Sequence, residues 1–331
     1  MDDTAAMIRA LELAASVRTT AAPNPWVGCV VVDGDRTFEG ATQPPGGLHA
    51  EAVALAAAGH SAEGATLVTT LEPCAHTGRT GPCADAIIAA GVARVVVGIQ
   101  DPDLRVSGRG LSRLVEAGIE LLLGIGAEQV SDQLAPYLAH RRTGRPWVVL
   151  KLAATLDGRI AAPDGSSKWI TGADARADVA RLRAESGAIL VGAGTIRTDD
   201  PALTVHAMTP VARQPLRVVL GRVPPAARVR PALELSGDLG GVLDELGRRD
   251  VLQVLIEGGA SVAYAFHRAG LVNRYVLYLA PKLMGGDDGR PLFAGPGAAT
   301  LAECWSGRLV SVRQLGGDLR VELAPELPPA R

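Results

Sequence analysis

The sequence has few aromatic residues, few cysteines and almost no charge imbalance. Aromatic residues make up 3% of the 331 positions, the formal net charge is −2, and there are 4 cysteines. A protein that binds single-stranded nucleic acid needs a basic groove lined with aromatic side chains. Four cysteines are too few for a disulfide framework and favour a reducing compartment. These features argue against a nucleic-acid partner and for a cytoplasmic protein.

The sequence also lacks long hydrophobic runs. No uncharged apolar run approaches the roughly 20 residues that a membrane-spanning helix needs, so no membrane partner is expected. The N-terminus carries two acids and an amphipathic pattern, unlike a signal or transit peptide. A chain of 331 residues is expected to form about two domains, each able to bury a core.

A cluster of potential metal ligands lies between positions 49 and 83. His49 is followed by Glu51 in the string HAEAVALAAAG, and Cys74 and Cys83 flank a loop in TLEPCAHTGRTGPC. One imidazole and two thiols suit zinc, and three protein ligands leave the fourth position to water, as in catalytic zinc sites. Glu51 could move a proton from such a water to a leaving amine. HxE followed by PCxxC is the signature of zinc nucleobase deaminases.

The spacing of the two cysteines departs from that signature, because eight residues rather than two separate them. With its loop AHTGRTGP, the segment resembles the deaminase of riboflavin biosynthesis, which acts on a pyrimidine ribosylamino phosphate. The resemblance implies zinc bound by the three ligands, and a phosphorylated substrate needs a cation such as Arg79. The implied substrate contacts are Asn24, His76, Arg79 and Asp101.

Two alternatives remain open at this stage. In the first, His49, Cys74 and Cys83 are core side chains, which is the more common role for any one of them alone. In the second, His76 is a fourth zinc ligand, which would make the zinc structural. The chain also departs from the family where GxH is replaced by Gly40, Ala41 and Thr42, and where the asparagine of DPN is replaced by Asp103. These departures predict a weaker or rearranged grip on the substrate.

The periodicity predicts an α/β fold for the first part of the chain. Strands are expected over 65–71, 94–99 and 119–123, with a hairpin turn at Asp33 and Gly34, an amphipathic first helix and a long helix over 129–142. Helices that begin near His49 and at Cys83 would direct their positive ends at the metal. Strands alternating with helices predict a three-layer α/β/α sandwich, which is also the cytidine-deaminase-like fold that the resemblance implies.

The polar string HRRTGRP marks a domain boundary, which we place between residues 144 and 145. Beyond it, WVVLKLAATLDGRIA, SSKWITG, AILVGAGTIRTDDPALTV and VLIEGGASVAYAF resemble, in this order, the pyrimidine reductase of riboflavin biosynthesis, a relative of dihydrofolate reductase. The resemblance now runs from Asn24 to about Pro291. It implies a zinc-dependent pyrimidine deaminase domain over 1–144 and an NADPH-dependent, dihydrofolate-reductase-like α/β domain over 145–331.

Two glycine turns in the second half support a nucleotide site independently. Gly192 and Gly194 follow the strand AILV, and Gly258 and Gly259 follow VLQVLI, so main-chain amides could approach phosphate groups closely. Each turn alone is a weak signal, since glycine commonly follows a strand. Two such turns in one domain, in the order that the resemblance to the reductase implies, favour a phosphate-binding role.

The resemblance also assigns individual residues of the second half. Lys151, Asp199 and Glu257 are the candidates for guiding hydride transfer to an opened ribose. His206 stands where the family commonly has arginine. The NADPH site would contain Ala153, Trp169, Thr195, Asp199, Gly259, Ala260 and Ser261. The substrate would contact Ser167, Arg183, Leu203, His206 and Glu257.

We therefore predict a bifunctional, homo-oligomeric enzyme of riboflavin biosynthesis. It would deaminate 2,5-diamino-6-(5-phosphoribosylamino)pyrimidin-4-one and then reduce the ribosyl group of 5-amino-6-(5-phosphoribosylamino)uracil. Residues 221–251 read as a proline-rich loop and one short helix where the family usually has a further strand. An active deaminase with a non-catalytic, nucleotide-sensing or assembly C-terminal domain is therefore the main alternative. A nucleic-acid-editing deaminase and a structural zinc module are the others.

Overall fold

The computed structural model describes residues 1–75, 81–205, 211 and 213–326. The chain divides into two compact units, the first containing Met1–Gly144 and the second beginning at Arg145. Across the described ranges, no helix combines the length and the apolar character needed to cross a membrane.

A mixed sheet forms the centre of the first unit. Its strands are β1 (Gly28–Asp33), β2 (Arg36–Ala41), β3 (Thr66–Leu71), β4 (Arg94–Ile99) and β5 (Glu120–Leu123). The order across the sheet is β2-β1-β3-β4-β5. β1 is antiparallel to both its neighbours, whereas β3, β4 and β5 run parallel. The carboxyl ends of β3 and β4 therefore meet at one edge of the sheet.

Helices cover both faces of this sheet. They are α1 (Asp3–Ser16), α2 (Arg18–Ala21), α3 (Ala50–Ala58), α4 (Cys83–Ala89), α5 (Arg109–Glu116), α6 (Ala127–Gln133) and α7 (Ala135–Thr143), with a 3-10 turn at Gly59–Ala62. α1 lies against Gly28, whereas α3 lies against Gly40, which pairs with Cys29. Because consecutive strand residues face opposite sides, α1 and α3 occupy opposite faces. The predicted three-layer sandwich is confirmed.

Two details of the first unit differ from the sequence-based expectation. The hairpin turn lies at Gly34 and Asp35, because Asp33 still pairs with Arg36. The single helix predicted over 129–142 is wrong, since the chain breaks at Leu134 into α6 and α7. Proline lacks the amide hydrogen that an uninterrupted helix would need, and Pro136 accordingly sits in the first turn of α7.

The second unit is built on a larger sheet. Its strands are β6 (Trp147–Thr155), β8 (Ala188–Gly192), β9 (Leu216–Leu220), β10 (Leu233–Leu235), β11 (Gln253–Ile256), β12 (Arg274–Ala280), β14 (Gly307–Leu315) and β15 (Asp318–Pro325), while β7 (Arg159–Ala161) and β13 (Arg290–Pro291) form a separate ribbon. Among the described residues the order is β10-β9-β8-β11-β6-β12-β15-β14. The strands from β10 to β12 are parallel, and β15 and β14 add antiparallel pairs.

The alternation of side chains along β6 divides the core of the second unit. Val148, Leu150 and Leu152 share one cluster with α10 (Leu239–Arg248) and α11 (Ala260–Arg268), whereas Val149 packs with α8 (Ala173–Ala184). α9 (Ala193–Asp199) packs through Ile196 into a further cluster, and a 3-10 turn covers Leu301–Glu303. Helices therefore cover both faces of this sheet as well.

The region over 221–251 contains a strand that sequence reasoning missed. β10 pairs in parallel with β9, and α10 follows it as predicted. The prediction of only a loop and a helix was wrong because β10 has three residues and follows Pro231, too short a segment to show an alternating pattern.

The contact between Gly28 and α1 gives a test of the first unit. A Cβ added at Gly28 would lie 1.8 Å from the main-chain oxygen of Ala10, so either the helix or the strand must move. We predict that Gly28→Ala lowers the free energy of unfolding by at least about 1–3 kcal/mol, measured by denaturant titration. Gly317→Ala, where the added Cβ meets nothing within 4 Å, should leave stability nearly unchanged.

Candidate active sites

Three potential metal ligands come together in the first unit. The nearest ligand atoms of His49, Cys74 and Cys83 all lie within 4.8 Å of one another. Nδ1 of His49 is 3.3 Å from Sγ of Cys83 and 3.6 Å from Sγ of Cys74. A tetrahedral zinc with bonds of about 2.0 Å to nitrogen and about 2.3 Å to sulfur separates its ligand atoms by about 3.5–3.8 Å. The spacing and chemistry of the three residues therefore fit zinc.

Local structure explains how residues so far apart in sequence meet. His49 is the residue before α3, and Cys83 is the first residue of α4. Cys74 follows β3, and its sulfur accepts a hydrogen bond of 3.3 Å from the amide of Cys83. Amides at a helix start stabilise negative charge, so this contact favours the thiolate of Cys74. The hydrogen bond from the Cys83 thiol also lowers the pKa of Cys74 and raises that of Cys83.

Glu51 lies in the first turn of α3, beside the metal ligands. Its side chain is buried, and burial raises the pKa of Glu51 to about 7. A carboxyl group with such a pKa can both accept and release a proton near neutral pH. The sequence placed Glu51 near the metal, but only the fold shows that its side chain is buried.

A cleft of about 160 Å³ opens beside these residues. Asn24 and Asp101, predicted as substrate contacts, both line it together with His49, Glu51 and Cys74. The walls also contain four residues to which the sequence gave no role: Glu72, Arg105, Tyr137 and Arg141. Thr42 and Asp103, the two departures from the family pattern, both face this cleft.

Glu72, in the wall of the cleft, accepts hydrogen bonds from four main-chain amides. This buried carboxylate accepts hydrogen bonds from the amides of Asp101 and Gly108 at 3.2 and 3.0 Å, and from those of Gly110 and Leu111 at 3.0 and 3.4 Å. The acceptor joins the end of β3 to the loop after β4 and to the start of α5. The string LEPC could have signalled this role, because Glu72 stands two residues before a metal ligand at a strand end.

A second cleft, of about 480 Å³, lies in the second unit. It is bordered by the carboxyl ends of β8 and β11, where the two predicted glycine turns begin α9 and α11. A Cβ added at Gly192 or Gly258 would lie within 2.8 Å of Val262, so both turns pack tightly on α11. The predicted residues in its walls are Ser167, Thr195, Asp199, Gly259, Ala260 and Ser261. Arg290, Thr198 and Ile160 also line it and were not predicted.

Lys151, Glu257 and Arg183 form a separate charged group. Leu150 pairs with Ile256, so the residues that follow them stand side by side on neighbouring strands. Arg183 of α8 makes two hydrogen bonds to Glu257, of 2.6 and 2.7 Å. Burial lowers the pKa of Lys151. Burial by itself would raise the pKa of Glu257, but the hydrogen bonds and charge of Arg183 and the charge of Lys151 together outweigh it, and the pKa is lowered.

The remaining predicted residues are more scattered. Ala153 pairs with Tyr278 within the sheet, and Trp169 is 65% exposed with the guanidinium of Arg176 stacked 4.7 Å from its ring centre. Leu203 is buried in the core around α9. The predicted contacts His76, Arg79 and His206 lie outside the described residues.

The geometry defines a class of protein, a zinc-type deaminase unit joined to a nucleotide-binding α/β unit. Residues 1–99 match the family described as cytidine and deoxycytidylate deaminase zinc-binding region, and residues 146–321 match the RibD C-terminal domain. Riboflavin biosynthesis protein RibD of Escherichia coli (strain K12) is 42% identical, with 98% of this chain and 99% of that protein aligned.

Solved structures agree over the whole length. Acinetobacter baumannii RibD, form 1, has a TM-score of 0.92 at 38% identity, covering 98% of this chain and 99% of that one. A diaminohydroxyphosphoribosylaminopyrimidine deaminase/5-amino-6-(5-phosphoribosylamino)uracil reductase from Thermotoga maritima has a TM-score of 0.89 at 34% identity, covering 98% of each chain.

The chain belongs to the RibD family of riboflavin biosynthesis proteins. It is a bifunctional enzyme, a zinc-dependent deaminase and an NADPH-dependent reductase, as the sequence predicted. The alternative of a non-catalytic C-terminal domain is not favoured.

The two thiols give a prediction about metal binding. Zinc binds deprotonated sulfur, and the raised pKa of Cys83 in the metal-free protein means that its proton must leave. We predict that apparent zinc affinity rises with pH and falls on acidification, measured by chelator competition between about pH 6 and about pH 8. Cys83→Ser should lose the metal, whereas Cys304→Ser, at an exposed cysteine, should retain it. Affinity independent of pH would contradict thiolate ligation.

Proposed function

We propose that residues 1–144 form the deaminase domain and residues 145–331 the reductase domain. The first removes an amino group from 2,5-diamino-6-(5-phosphoribosylamino)pyrimidin-4-one as ammonia. The second reduces the ribosyl group of 5-amino-6-(5-phosphoribosylamino)uracil to ribityl. The two activities named for the Thermotoga maritima relative support this assignment. The observation that carries it is the His49, Cys74 and Cys83 cluster with buried Glu51 beside it in a cleft.

The deaminase residues have distinct roles in this proposal. His49, Cys74 and Cys83 would hold zinc, which when bound supplies the Lewis acidity that makes water nucleophilic near neutral pH. Glu51 would take a proton from the attacking water and deliver it to the departing nitrogen, and its pKa of about 7 suits both steps. Asn24 and Asp101, in the walls of the same cleft, would orient the pyrimidine.

Replacing Glu51 tests the proton-transfer role. Glu51→Gln keeps the size of the buried side chain but cannot carry the proton, so ammonia release should fall by at least about 100-fold. Zinc content, measured by metal analysis, should stay at the level of the unmodified enzyme. NADPH oxidation by the same variant, supplied with the deaminated intermediate, should remain normal. Full ammonia release by this variant would instead support a structural zinc module.

The reductase cleft would hold NADPH with its phosphates against the two glycine turns. Main-chain amides at the starts of α9 and α11 and the hydroxyls of Thr195 and Ser261 can donate to phosphate oxygens. NADPH supplies the hydride. Asp199 lies in the wall of the same cleft.

Lys151, Glu257 and Arg183 would act on the ribosyl group during the reduction. The lowered pKa of Lys151 makes its ammonium a better proton donor than an ordinary lysine. Glu257 would keep this cation in place, and Arg183 would contact the substrate. Ser167, Leu203 and His206 complete the proposed substrate contacts, and Ala153 and Trp169 the proposed NADPH contacts.

Replacing Lys151 tests its proposed role as proton donor in the reductase. Lys151→Met preserves the aliphatic length and eliminates the proton donor, so NADPH oxidation should fall by about 100-fold or more, followed by absorbance. Ammonia release by the same protein should be unchanged, because Lys151 lies in the other unit. Undiminished NADPH oxidation would rule out this role for Lys151.

We also propose a cytoplasmic, homo-oligomeric enzyme. A reducing compartment keeps Cys74 and Cys83 available as metal ligands. In the described sheet β14 is an end strand, and Leu309 and Val312 on it are more than half exposed. Unpaired edges of this kind readily pair with a second chain. Sedimentation analysis tests the assembly.

A further inference from the structure

Arg141 is a cation in the deaminase cleft to which neither the motif nor the proposed chemistry gives a role. It lies in the last turn of α7, and its side chain borders the cleft that contains His49 and Glu51. In the sequence it belongs to the string HRRTGRP, which indicates a domain boundary rather than a binding residue. The next residue, Arg142, is exposed and does not line the cleft.

The guanidinium of Arg141 stacks on a tyrosine ring and makes a long ion pair with Asp103. Its carbon lies 5.1 Å from the centre of the Tyr137 ring, and Tyr137 is itself buried. Nε of Arg141 is buried without a hydrogen-bond partner among the described residues. An arginine that is rigidly oriented and incompletely hydrogen-bonded can take a further acceptor at low entropic cost.

The two nearby carboxylates make their hydrogen bonds with groups other than Arg141. Nε of Arg141 lies 3.8 Å from an oxygen of Asp103, which makes an ion pair but not a hydrogen bond. Arg105 makes the hydrogen bonds to Asp103, of 3.0 and 2.7 Å to its two oxygens. Asp101 accepts from the Tyr137 hydroxyl at 3.0 Å and from the amide of Asp103 at 2.8 Å. Both acidic groups therefore have closer partners than Arg141.

We propose that Arg141 binds the phosphate of the deaminase substrate and so selects the phosphorylated form over the free nucleoside. The inference rests on the proposed deaminase function of the same cleft. A guanidinium matches a phosphate with two parallel hydrogen bonds, which a neutral ribose hydroxyl cannot replace. Arg141 is thus a specificity-determining residue supplied by the helix before the domain boundary.

The test compares two substrates and three variants in the zinc-loaded, full-length enzyme without NADPH. Ammonia release is measured with the phosphorylated diaminopyrimidine and with its dephosphorylated form. For Arg141→Gln, kcat/KM should fall about 10- to 100-fold on the phosphorylated substrate and change little on the dephosphorylated one. Arg141→Lys should recover part of the loss, and Arg142→Gln should behave like the unmodified enzyme.

A second measurement keeps the test informative if phosphorylated substrate turnover is slow. Inorganic phosphate should compete with the dephosphorylated substrate in the unmodified enzyme and compete much more weakly in Arg141→Gln. Equal losses on both substrates, or an equal loss in Arg142→Gln, would overturn the role of Arg141 and leave deamination intact. No ammonia from the unmodified enzyme with either substrate would instead overturn the proposed deaminase function.

Discussion

The deaminase cleft depends on one buried carboxylate that holds three chain segments together. Glu72 directly follows β3, and its oxygens accept hydrogen bonds from amides of the loop after β4 and of the start of α5. The first turn of α5 then packs on the carbonyl of Pro73, where a Cβ at Gly110 would lie 1.9 Å from that oxygen. Cys74 follows directly, so the position of a metal ligand and the position of Asp101 are fixed by the same acceptor.

In the second unit, strand register positions the charged side chains. Parallel pairing of β6 with β11 places Lys151 beside Glu257, and the alternation of side chains turns both towards the face covered by α8. Arg183 reaches Glu257 from that helix and offsets the cost of burying its charge. The two units thus position charged groups differently, by a shared acceptor in the first and by sheet pairing in the second.

The sequence predicted the site residues that lie within short stretches of chain, but not those that distant segments bring into the cleft. His49, Glu51, Cys74 and Cys83 could be predicted because ligand type and spacing restrict the possible chemistry, and β4 has the predicted bounds because its apolar run is continuous. Arg141 and Tyr137 were missed because they enter the cleft from a helix more than 50 residues beyond Cys83. The break between α6 and α7 was missed because apolar periodicity continues through Leu134.

The sequence by itself determined the ligand set, the proton-carrying carboxylate, the α/β alternation and the two glycine turns, since each is encoded within a short stretch of chain. Only the tertiary structure decided which residues share a cleft, how deeply Glu51 and Glu257 are buried, and which acidic groups already have partners. The physical reason is that burial and charge pairing depend on segments distant in sequence, and these determine the pKa and the hydrogen-bonding capacity of each side chain.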